Sequence, residues 1–317
     1  MIPPGASKTV AIWLTAARPG ATMRTNGTNG KSCKAARDGL DGRGSGMFGK
    51  FVVDSSARVR SLDFDPSDTL GLTKEGAEAE YTRLQERFGE LQEALYASRK
   101  YALLVVLQGM DCSGKDGAVK KLLSGVNPGG FHVEAFKTPT PEELGHDYLW
   151  RVHQKTPLRG EITVFNRSYY EDVLITRVHG LIDDDTAHRR FREIRNFEEY
   201  MIANGTVPLK FFLHISRDFQ KEKLMERLKN PEKNWKFSES DLKEREKWDE
   251  YQKCYSDVLT HSGSAHAPWH VVPSNHRWFR DYFILHTVVA ALEKLPLEYP
   301  VIEGNLRQLI QQVEASE

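Results

Sequence analysis

Apolar residues recur along residues 74–98 at intervals of three or four. Because an α-helix makes one turn every 3.6 residues, residues with this spacing share one face of a helix. The pattern therefore predicts an amphipathic helix over 74–98. Its apolar face is formed by Tyr81, Leu84, Phe88, Leu91 and Leu95.

Short apolar runs alternate with helical patterns through the rest of the chain. Strands are predicted at 102–107, 132–136, 162–165, 209–215 and 270–272. Helices are predicted at 117–123, 141–153, 186–203, 218–229, 241–259 and 278–294. This alternation predicts an α/β fold of three layers, α/β/α, with helices on both faces of a mostly parallel central sheet. Ligands of such folds bind at the carboxyl ends of the strands.

The composition is typical of a globular protein of 317 residues, with 39% hydrophobic and 28% charged residues. A net charge of zero, from 44 basic and 44 acidic residues, argues against a nucleic-acid-binding coat, although local basic clusters stay possible. No apolar run approaches the roughly 18 residues that span a membrane. The cysteines are three and far apart, which favours a reducing cytoplasm over a disulfide framework or a zinc site.

Residues 1–50 differ from the rest because small residues dominate and no periodicity is present. We expect a disordered leader, or a start site placed too early, with Met23 and Met47 as internal alternatives. A transit peptide is a weaker alternative, since the segment contains acidic residues. The expected folded domain covers 51–300, and 301–317 is expected to be a C-terminal tail.

The segment 109-GMDCSGKDG-117 predicts a phosphate-binding loop. It follows a predicted strand and opens a predicted helix, as that motif requires. Glycines allow backbone N–H groups to surround phosphate oxygens, and the helix N-terminus adds partial positive charge. The lysine supplies a cation for the phosphate that is transferred. The predicted phosphate-binding residues are Gly109, Ser113, Gly114, Lys115 and Gly117.

Two carboxylates are unexpected in this loop. Asp116 stands where a Ser or Thr hydroxyl usually ligates Mg²⁺, and Asp111 lies inside the loop. Carboxylates beside phosphate are favourable if divalent metal ions lie between the charges. Alternatively, Asp111 orients an attacking oxygen or accepts its proton, and Asp116 only favours the helix N-terminus by its charge.

A second polar segment, 165-FNRSYYEDVLITRVHG-180, follows a predicted strand. Arg167 can offer two parallel N–H groups to phosphoryl oxygens, and Arg177 comes ten residues later. The side chains of Asn166, Glu171 and Asp172 could hold metal-bound water. For the two acidic residues the alternative is a helix-terminal charge, and for Tyr169 and Tyr170 it is core packing.

A helical hairpin rich in basic residues is predicted near 226–245. Residues 210–236 contain eight Lys or Arg and four acidic residues, and Pro231 interrupts the helical pattern. A hairpin over a phosphate site can close and exclude water, so we expect a lid, although a solvated surface is the alternative. The cations of the hairpin are Arg227, Lys229, Lys233 and Lys236. A basic track could continue through Lys137, Arg151, Lys155 and Arg159.

These motifs together resemble the polyphosphate kinase 2 family over about residues 55–300. The segments that carry the resemblance are GMDCSGKDG, GVNPGGFHVEAFKTPTPEE, FNRSYYEDVL and RLKNPEKNWKFSESD. The resemblance implies a P-loop kinase-like core with a helical lid, and Mg²⁺-dependent phosphoryl transfer between inorganic polyphosphate and nucleotides (AMP, ADP or ATP). Mn²⁺ is a possible substitute. The FNRS form with its YEDV continuation resembles the subgroup that phosphorylates AMP and ADP.

The resemblance also assigns roles to residues. It implies metal and catalytic roles for Asp111 and Asp116, and phosphate contacts for Lys115, Arg167 and Arg177. Asn166 stands where some subgroups have Asp, which weakens its assignment as a charged metal ligand. Polyphosphate contacts are expected from the lid, together with Lys137, and a homo-oligomer is expected. The closest matches in the lid are Arg227, Lys233 and Lys236.

Two other functions stay open at this point. One is an ATP-dependent kinase for a nucleoside or another small molecule, and the other is a non-catalytic regulator that binds polyphosphate or nucleotide. The loop 273-PSNHRWFR-280 could approach a nucleobase, but core packing explains Trp278 and Phe279 equally well.

Overall fold

The computed structural model describes residues 46–54, 58–301 and 304–316. Most of the predicted leader, residues 1–45, therefore lies outside the described residues. Phe48, from the last residues of the predicted leader, packs onto the fold. Phe48 is buried, and its ring stacks on Phe283 with 4.1 Å between the ring centroids.

A six-stranded sheet forms the centre of the described protein, in the order β1-β6-β5-β2-β4-β3. Every neighbouring pair is parallel except β1 and β6, which are antiparallel. The short β1 was not predicted, because two residues give no periodic signal. The strands are β1 Val52–Val53, β2 Ala102–Gln108, β3 Phe131–Ala135, β4 Ile162–Asn166, β5 Thr206–His214 and β6 Trp269–Pro273.

Helices cover both faces of the sheet, which confirms the three-layer α/β/α prediction. The helices are α1 Lys74–Ser98, α2 Lys115–Leu123, α3 Pro141–Leu144, α4 Trp150–His153, α5 Ile175–Val178, α6 Asp184–Ala203, α7 Arg217–Lys229, α8 Glu239–Glu246, α9 Trp248–Ser262, α10 Arg277–Glu293 and α11 Leu306–Glu314. One face is covered by α1, α2 and α10, and the other by α4, α6 and α9. Every residue of β2 is buried between these layers.

Two predicted helices are each divided in the structure. The segment 141–153 contains two single turns, α3 and α4, because α3 ends at Leu144 and a turn and a bend follow. The segment 241–259 is divided between α8 and α9 at Lys247, whose backbone leaves the helical conformation. The expected tail 301–317 contains α11, which the sequence analysis did not predict.

None of the helices that the structure describes is both long enough and apolar enough to cross a membrane.

Candidate active site

An open crevice with a volume of about 1040 Å³ lies at the carboxyl ends of β2 and β4. Ten lysines and arginines and five carboxylates line it, although the whole chain has 44 of each. The crevice is therefore locally positive within a neutral protein, which favours an anionic ligand. Six of its cations were predicted as site residues: Lys115, Lys137, Arg167, Arg227, Lys233 and Lys236.

The predicted phosphate-binding loop joins β2 to α2. Gly114 is the residue before α2 and has a φ of +94°, a conformation that favours glycine. No side chain caps this helix, so its first N–H groups are available to an anion. Ser113 is buried, and its hydroxyl has no hydrogen-bond partner among the described residues. Both features suit a loop that binds phosphate oxygens.

Lys115 folds back over the loop. Its Nζ donates to the carbonyl oxygens of Gly109, at 2.6 Å, and Met110, at 3.3 Å. Burial and the positive charge of Arg167 lower the pKa of Lys115, against the opposing effect of nearby carboxylates. A phosphate oxygen near the ammonium group would offset that destabilisation of its charge.

The second polar segment meets the loop through Arg167. Arg167 Nη2 donates to Asp111 Oδ1 at 2.8 Å, and Arg167 Nη1 lies 3.9 Å from Glu171 Oε2. Burial opposes the charge of Arg167, but Glu171 and Asp111 outweigh it and raise the pKa of the guanidinium. Burial also raises the pKa of Glu171. Cys112 and Arg167 have φ values of +70° and +65°, so both loops hold strained backbone beside the crevice.

The other two carboxylates of these segments also border the crevice. Asp116 is exposed and accepts a hydrogen bond from Asn166 Nδ2 at 2.7 Å, so the amide lies against the carboxylate. Burial raises the pKa of Asp172 to about 6, although Arg190 and Arg151 oppose this. The structure thus brings Asn166, Glu171 and Asp172 to one crevice with the loop.

A buried polar network holds the second polar segment, 165–180, against the core. The hydroxyls of Tyr169 and Tyr170 donate to Glu198 Oε1 at 2.8 and 2.9 Å. Lys210 Nζ donates to Glu198 Oε2 at 2.7 Å and to the carbonyl oxygen of Ser262 at 2.9 Å. The tyrosines therefore pack in the core, as the alternative interpretation held, and also fix the segment that carries Arg167. The sequence analysis missed this network, and its one signal was a lysine inside an apolar strand.

The predicted lid consists of α7, a 3-10 turn over Pro231–Lys236 and α8. Acidic residues of the hairpin pair with some of its cations. Arg227 Nη1 donates to Asp241 Oδ2 and to the carbonyl oxygen of Lys236, each at 3.1 Å. Lys233 pairs with Glu226. A polyanion that binds here must replace these internal partners.

Not every predicted residue reaches the crevice. Arg177 is absent from its described lining and is buried between Asp184 and Asp257, with distances of 2.7 Å to a carboxylate oxygen of each. The structure therefore does not support a phosphate contact from Arg177. Its sequence spacing could not reveal that the side chain turns toward α6 and α9. Of the proposed track, Arg151 lines the crevice, whereas Lys155 and Arg159 are not part of the described lining.

The crevice also contains residues that sequence reasoning missed. Lys223 comes from α7, and Arg277 and Arg280 come from the first turn of α10. Trp278 and Phe279, between the two arginines, pack with the core, so the packing interpretation of the loop 273–280 is confirmed. Arg277 and Arg280 have helical spacing in the sequence. Nothing in the sequence, however, places them beside the predicted phosphate-binding loop 109–117.

The crevice offers few metal ligands of its own. Within the described ranges, no three His, Cys, Asp or Glu residues converge to form a metal site. Asp111 and Asp116 both line the crevice as oxygen donors. Mg²⁺ typically takes one or two carboxylates and completes its shell with water and substrate phosphates, so this donor set suits it.

The fold and the crevice define a P-loop kinase-like protein, in which a mostly parallel sheet carries the predicted phosphate-binding loop beneath a basic hairpin. Residues 71–298 match the family model of polyphosphate kinase 2 (PPK2). The chain belongs to this family.

Known proteins resemble the chain over most of its length. The AMP/ADP-polyphosphate phosphotransferase of Meiothermus ruber is 46% identical over 263 residues, which cover 82% of this chain and 98% of that protein. The ADP-polyphosphate phosphotransferase of Rhodopseudomonas palustris is 44% identical over 227 residues, covering 68% and 78%. The crystal structure of polyphosphate kinase 2 from Arthrobacter aurescens superposes with a TM-score of 0.81 at 38% identity, over 84% of this chain and 96% of that one.

Proposed function

We propose that the protein transfers a phosphoryl group from inorganic polyphosphate to AMP and ADP. The observation that carries this proposal is the excess of cations in the crevice, ten against five carboxylates, in a chain without net charge. Two anionic substrates require such a surplus. The names of the Meiothermus ruber and Rhodopseudomonas palustris relatives support the choice of polyphosphate with AMP or ADP.

The residues of the loop and the second segment would orient the reacting phosphoryl group. The loop amides and the Ser113 hydroxyl would hold the end of the polymer, and Lys115 would move from its carbonyl partners onto a phosphoryl oxygen. Arg167 would offer a planar pair of N–H groups to the same group. The terminal oxygen of the nucleotide is already ionised near neutral pH, so positioning and charge stabilisation supply most of the catalysis.

Asp111 and Asp116 would hold Mg²⁺, or Mn²⁺ as a substitute. When bound, the metal ion would neutralise charge between the two anionic substrates. In this proposal Arg167 exchanges the carboxylate of Asp111 for phosphate when substrate binds. Asn166 would keep the carboxylate of Asp116 oriented through its hydrogen bond of 2.7 Å.

The lid and the opposite wall would hold the two substrates. Arg227, Lys233 and Lys236 are the proposed polyphosphate contacts of the lid, with Lys137 on the opposite wall. The apolar side chains of Phe136, Ile175, Leu181 and Pro139 also line the crevice and are suited to the uncharged part of a nucleoside. Closure of the lid would exclude water and thereby limit hydrolysis of the polymer. A homo-oligomer stays a prediction.

The test is polymer-dependent synthesis of nucleotide by the purified full-length protein. ADP, Mg²⁺ and long-chain polyphosphate are incubated without ATP, and ATP is measured; the same assay with AMP follows ADP and ATP. We expect product that requires both the polymer and Mg²⁺. An ATP-dependent nucleoside kinase would form no ATP here but would consume ATP with a nucleoside, and a regulator would bind polyphosphate without turnover. Either result would reject the proposed function.

A further inference from the structure

Arg280 lies directly against the glycines of the phosphate-binding loop. It comes from the first turn of α10, and its side chain is only 3% exposed. A Cβ atom placed on Gly114 would lie 1.9 Å from Arg280 Nη1, and one on Gly117 would lie 3.1 Å from Nη2. These glycines therefore make room for the guanidinium group, besides leaving the loop backbone open to phosphate.

One edge of the Arg280 guanidinium group is fixed by its neighbour. Nε and Nη2 donate to Asp281 Oδ1 at 2.8 and 2.6 Å, which leaves Nη1 on the opposite side. Among the described residues, Nη1 has no hydrogen-bond acceptor, and Arg280 lines the crevice. A nearly buried guanidinium group that leaves N–H donors unused is costly unless a ligand accepts them.

We propose that Arg280 contacts substrate and that its Nη1 donates to a phosphoryl oxygen of the polyphosphate chain held by the loop. The identity of this anion rests on the proposed function. The polymer is favoured over the nucleotide because a loop of this kind binds the phosphates of the donor. Lys223 and Arg277 line the same crevice, and Lys223 is close enough to Arg277 for their charges to repel. Further phosphates of the polymer would relieve that repulsion.

A purely structural role is the alternative. Arg280 could serve only to pack α10 against α2, with Asp281 as its partner. The two roles differ in what a conservative substitution changes. Arg280→Lys keeps a positive charge but removes the planar fork that reaches both Asp281 and the loop. A structural role would alter the unfolding temperature alone, whereas a phosphate contact would alter the affinity for the polymer.

The experiment measures binding of tripolyphosphate to the full-length protein by titration calorimetry, together with KM values for long-chain polyphosphate and ADP. For Arg280→Lys we expect about tenfold weaker tripolyphosphate binding and a similar rise in the KM for polyphosphate, with the KM for ADP within about twofold. Arg195→Lys is the control, because Arg195 is partly buried and donates to the carbonyl oxygen of His261 at 2.8 Å, outside the crevice lining. It should leave all three values unchanged.

A second variant, Gly117→Ala, tests the contact through geometry. Gly117 lies in α2 without a positive φ, so alanine suits its backbone and its Cβ would displace the Arg280 guanidinium group. As a single substitution, Gly117→Ala should weaken tripolyphosphate binding. When it is added to Arg280→Lys, it should weaken binding by a smaller factor than it does alone. Independent effects that simply add would indicate that Gly117 and Arg280 do not act on the same phosphate.

Several outcomes would overturn the inference. If wild-type protein binds tripolyphosphate and Arg280→Lys binds it equally well, Arg280 has no contact with the polymer and the proposed function is unaffected. If only the KM for ADP rises, the arginine serves the nucleotide and its assignment to the polymer is wrong. If the wild type binds no tripolyphosphate and forms no ATP, the proposed function and this inference both fail.

Discussion

The crevice has a floor, formed by the predicted phosphate-binding loop 109–117 and the second polar segment 165–180, and a lid. The two regions differ in how their charged side chains are held. The floor is set by the parallel pairing of β2 and β4, in which Leu107 faces Asn166, so the loops that follow these strands begin side by side. Its lysine, Lys115, is buried and donates to the loop carbonyl oxygen of Gly109. The lid pairs Arg227 and Lys233 with acidic residues of its own hairpin, and the side chains of Lys233 and Glu226 are 43% and 37% exposed.

This difference predicts a division of labour between the two regions. Buried charges act in a low effective dielectric, so the floor, which holds the buried Lys115, should determine the rate of phosphoryl transfer. Exposed charges are screened by water and salt, so the lid should determine mainly the affinity for the polymer. Substitutions in the floor should therefore lower kcat or stability, and substitutions in the lid should raise KM.

The largest expected effect is on stability, in the buried polar network around Glu198 that holds the second polar segment. Glu198→Ala would leave Lys210 as an uncompensated buried cation and would remove the acceptor of two tyrosine hydroxyls. We expect a loss of about 3–5 kcal/mol in the free energy of unfolding, measured by urea denaturation. Glu199→Ala, at an exposed position of the same helix, is the matched control. Equal stabilities of the two variants would show that the support is dispensable.

Lys115→Ala should cause the largest loss of activity in the floor. It removes the one lysine of the loop, and we expect turnover to fall about 100-fold or more, by analogy with the loss of one preorganised donor. Steady-state kcat with saturating polyphosphate and ADP is the measurement. Lys120→Ala is the control, because Lys120 lies on the same helix, α2, but outside the described crevice lining. Near-normal turnover of Lys115→Ala would remove the lysine from the mechanism.

Arg167→Lys should have a smaller effect, since the positive charge remains. A lysine cannot reproduce the planar fork that reaches both Asp111 and Glu171, so we expect kcat to fall by about tenfold or somewhat more. The KM for polyphosphate should change less than kcat, because the contact strengthens with the charge that develops during transfer. Wild-type rates in this variant would contradict the bidentate role.

The floor was more predictable from the sequence than its support. Loops that follow parallel strands lie at one edge of the sheet, so strand prediction indicates that the segments carrying Asp111 and Arg167 share one crevice. Side-chain direction does not follow, and for this reason Arg177 was expected in the crevice but is buried between Asp184 and Asp257. Contacts between distant segments, such as Arg280 against Gly114, depend on how α10 packs, which periodicity does not specify.

Arg227→Ala should act on the affinity for the polymer. Its side chain is 23% exposed and holds Asp241 at 3.1 Å, so its loss removes a lid cation and frees a carboxylate. We expect the KM for polyphosphate to rise about 3- to 10-fold at low salt with kcat little changed, and the ratio to wild type to shrink as salt increases. Lys229→Ala is the control, as Lys229 belongs to the hairpin but not to the described crevice lining. A large fall in kcat of Arg227→Ala would contradict the proposal that the lid acts mainly on the affinity for the polymer.

Glu226→Gln should give the smallest effect, in the opposite direction. Hydrogen bonds from Lys233 and Lys223 lower the pKa of Glu226 to about 2, so its carboxylate competes with the polymer for both lysines. Removal of the carboxylate should lower the KM for polyphosphate about twofold. The free energy of unfolding at pH 7 should change by less than about 0.5 kcal/mol, because the Glu226–Lys233 pair is exposed.

The same substitution should change how stability depends on pH. The lowered pKa of Glu226 stabilises the fold above the ordinary pKa of 4.5, and that contribution is lost as the pH falls toward 2. Wild type and variant should therefore show the same change in stability from pH 5 to 9, and differ only in acid. A higher KM in Glu226→Gln would mean that Glu226 orients the lysines rather than competing for them, and the lid would then be preorganised like the floor.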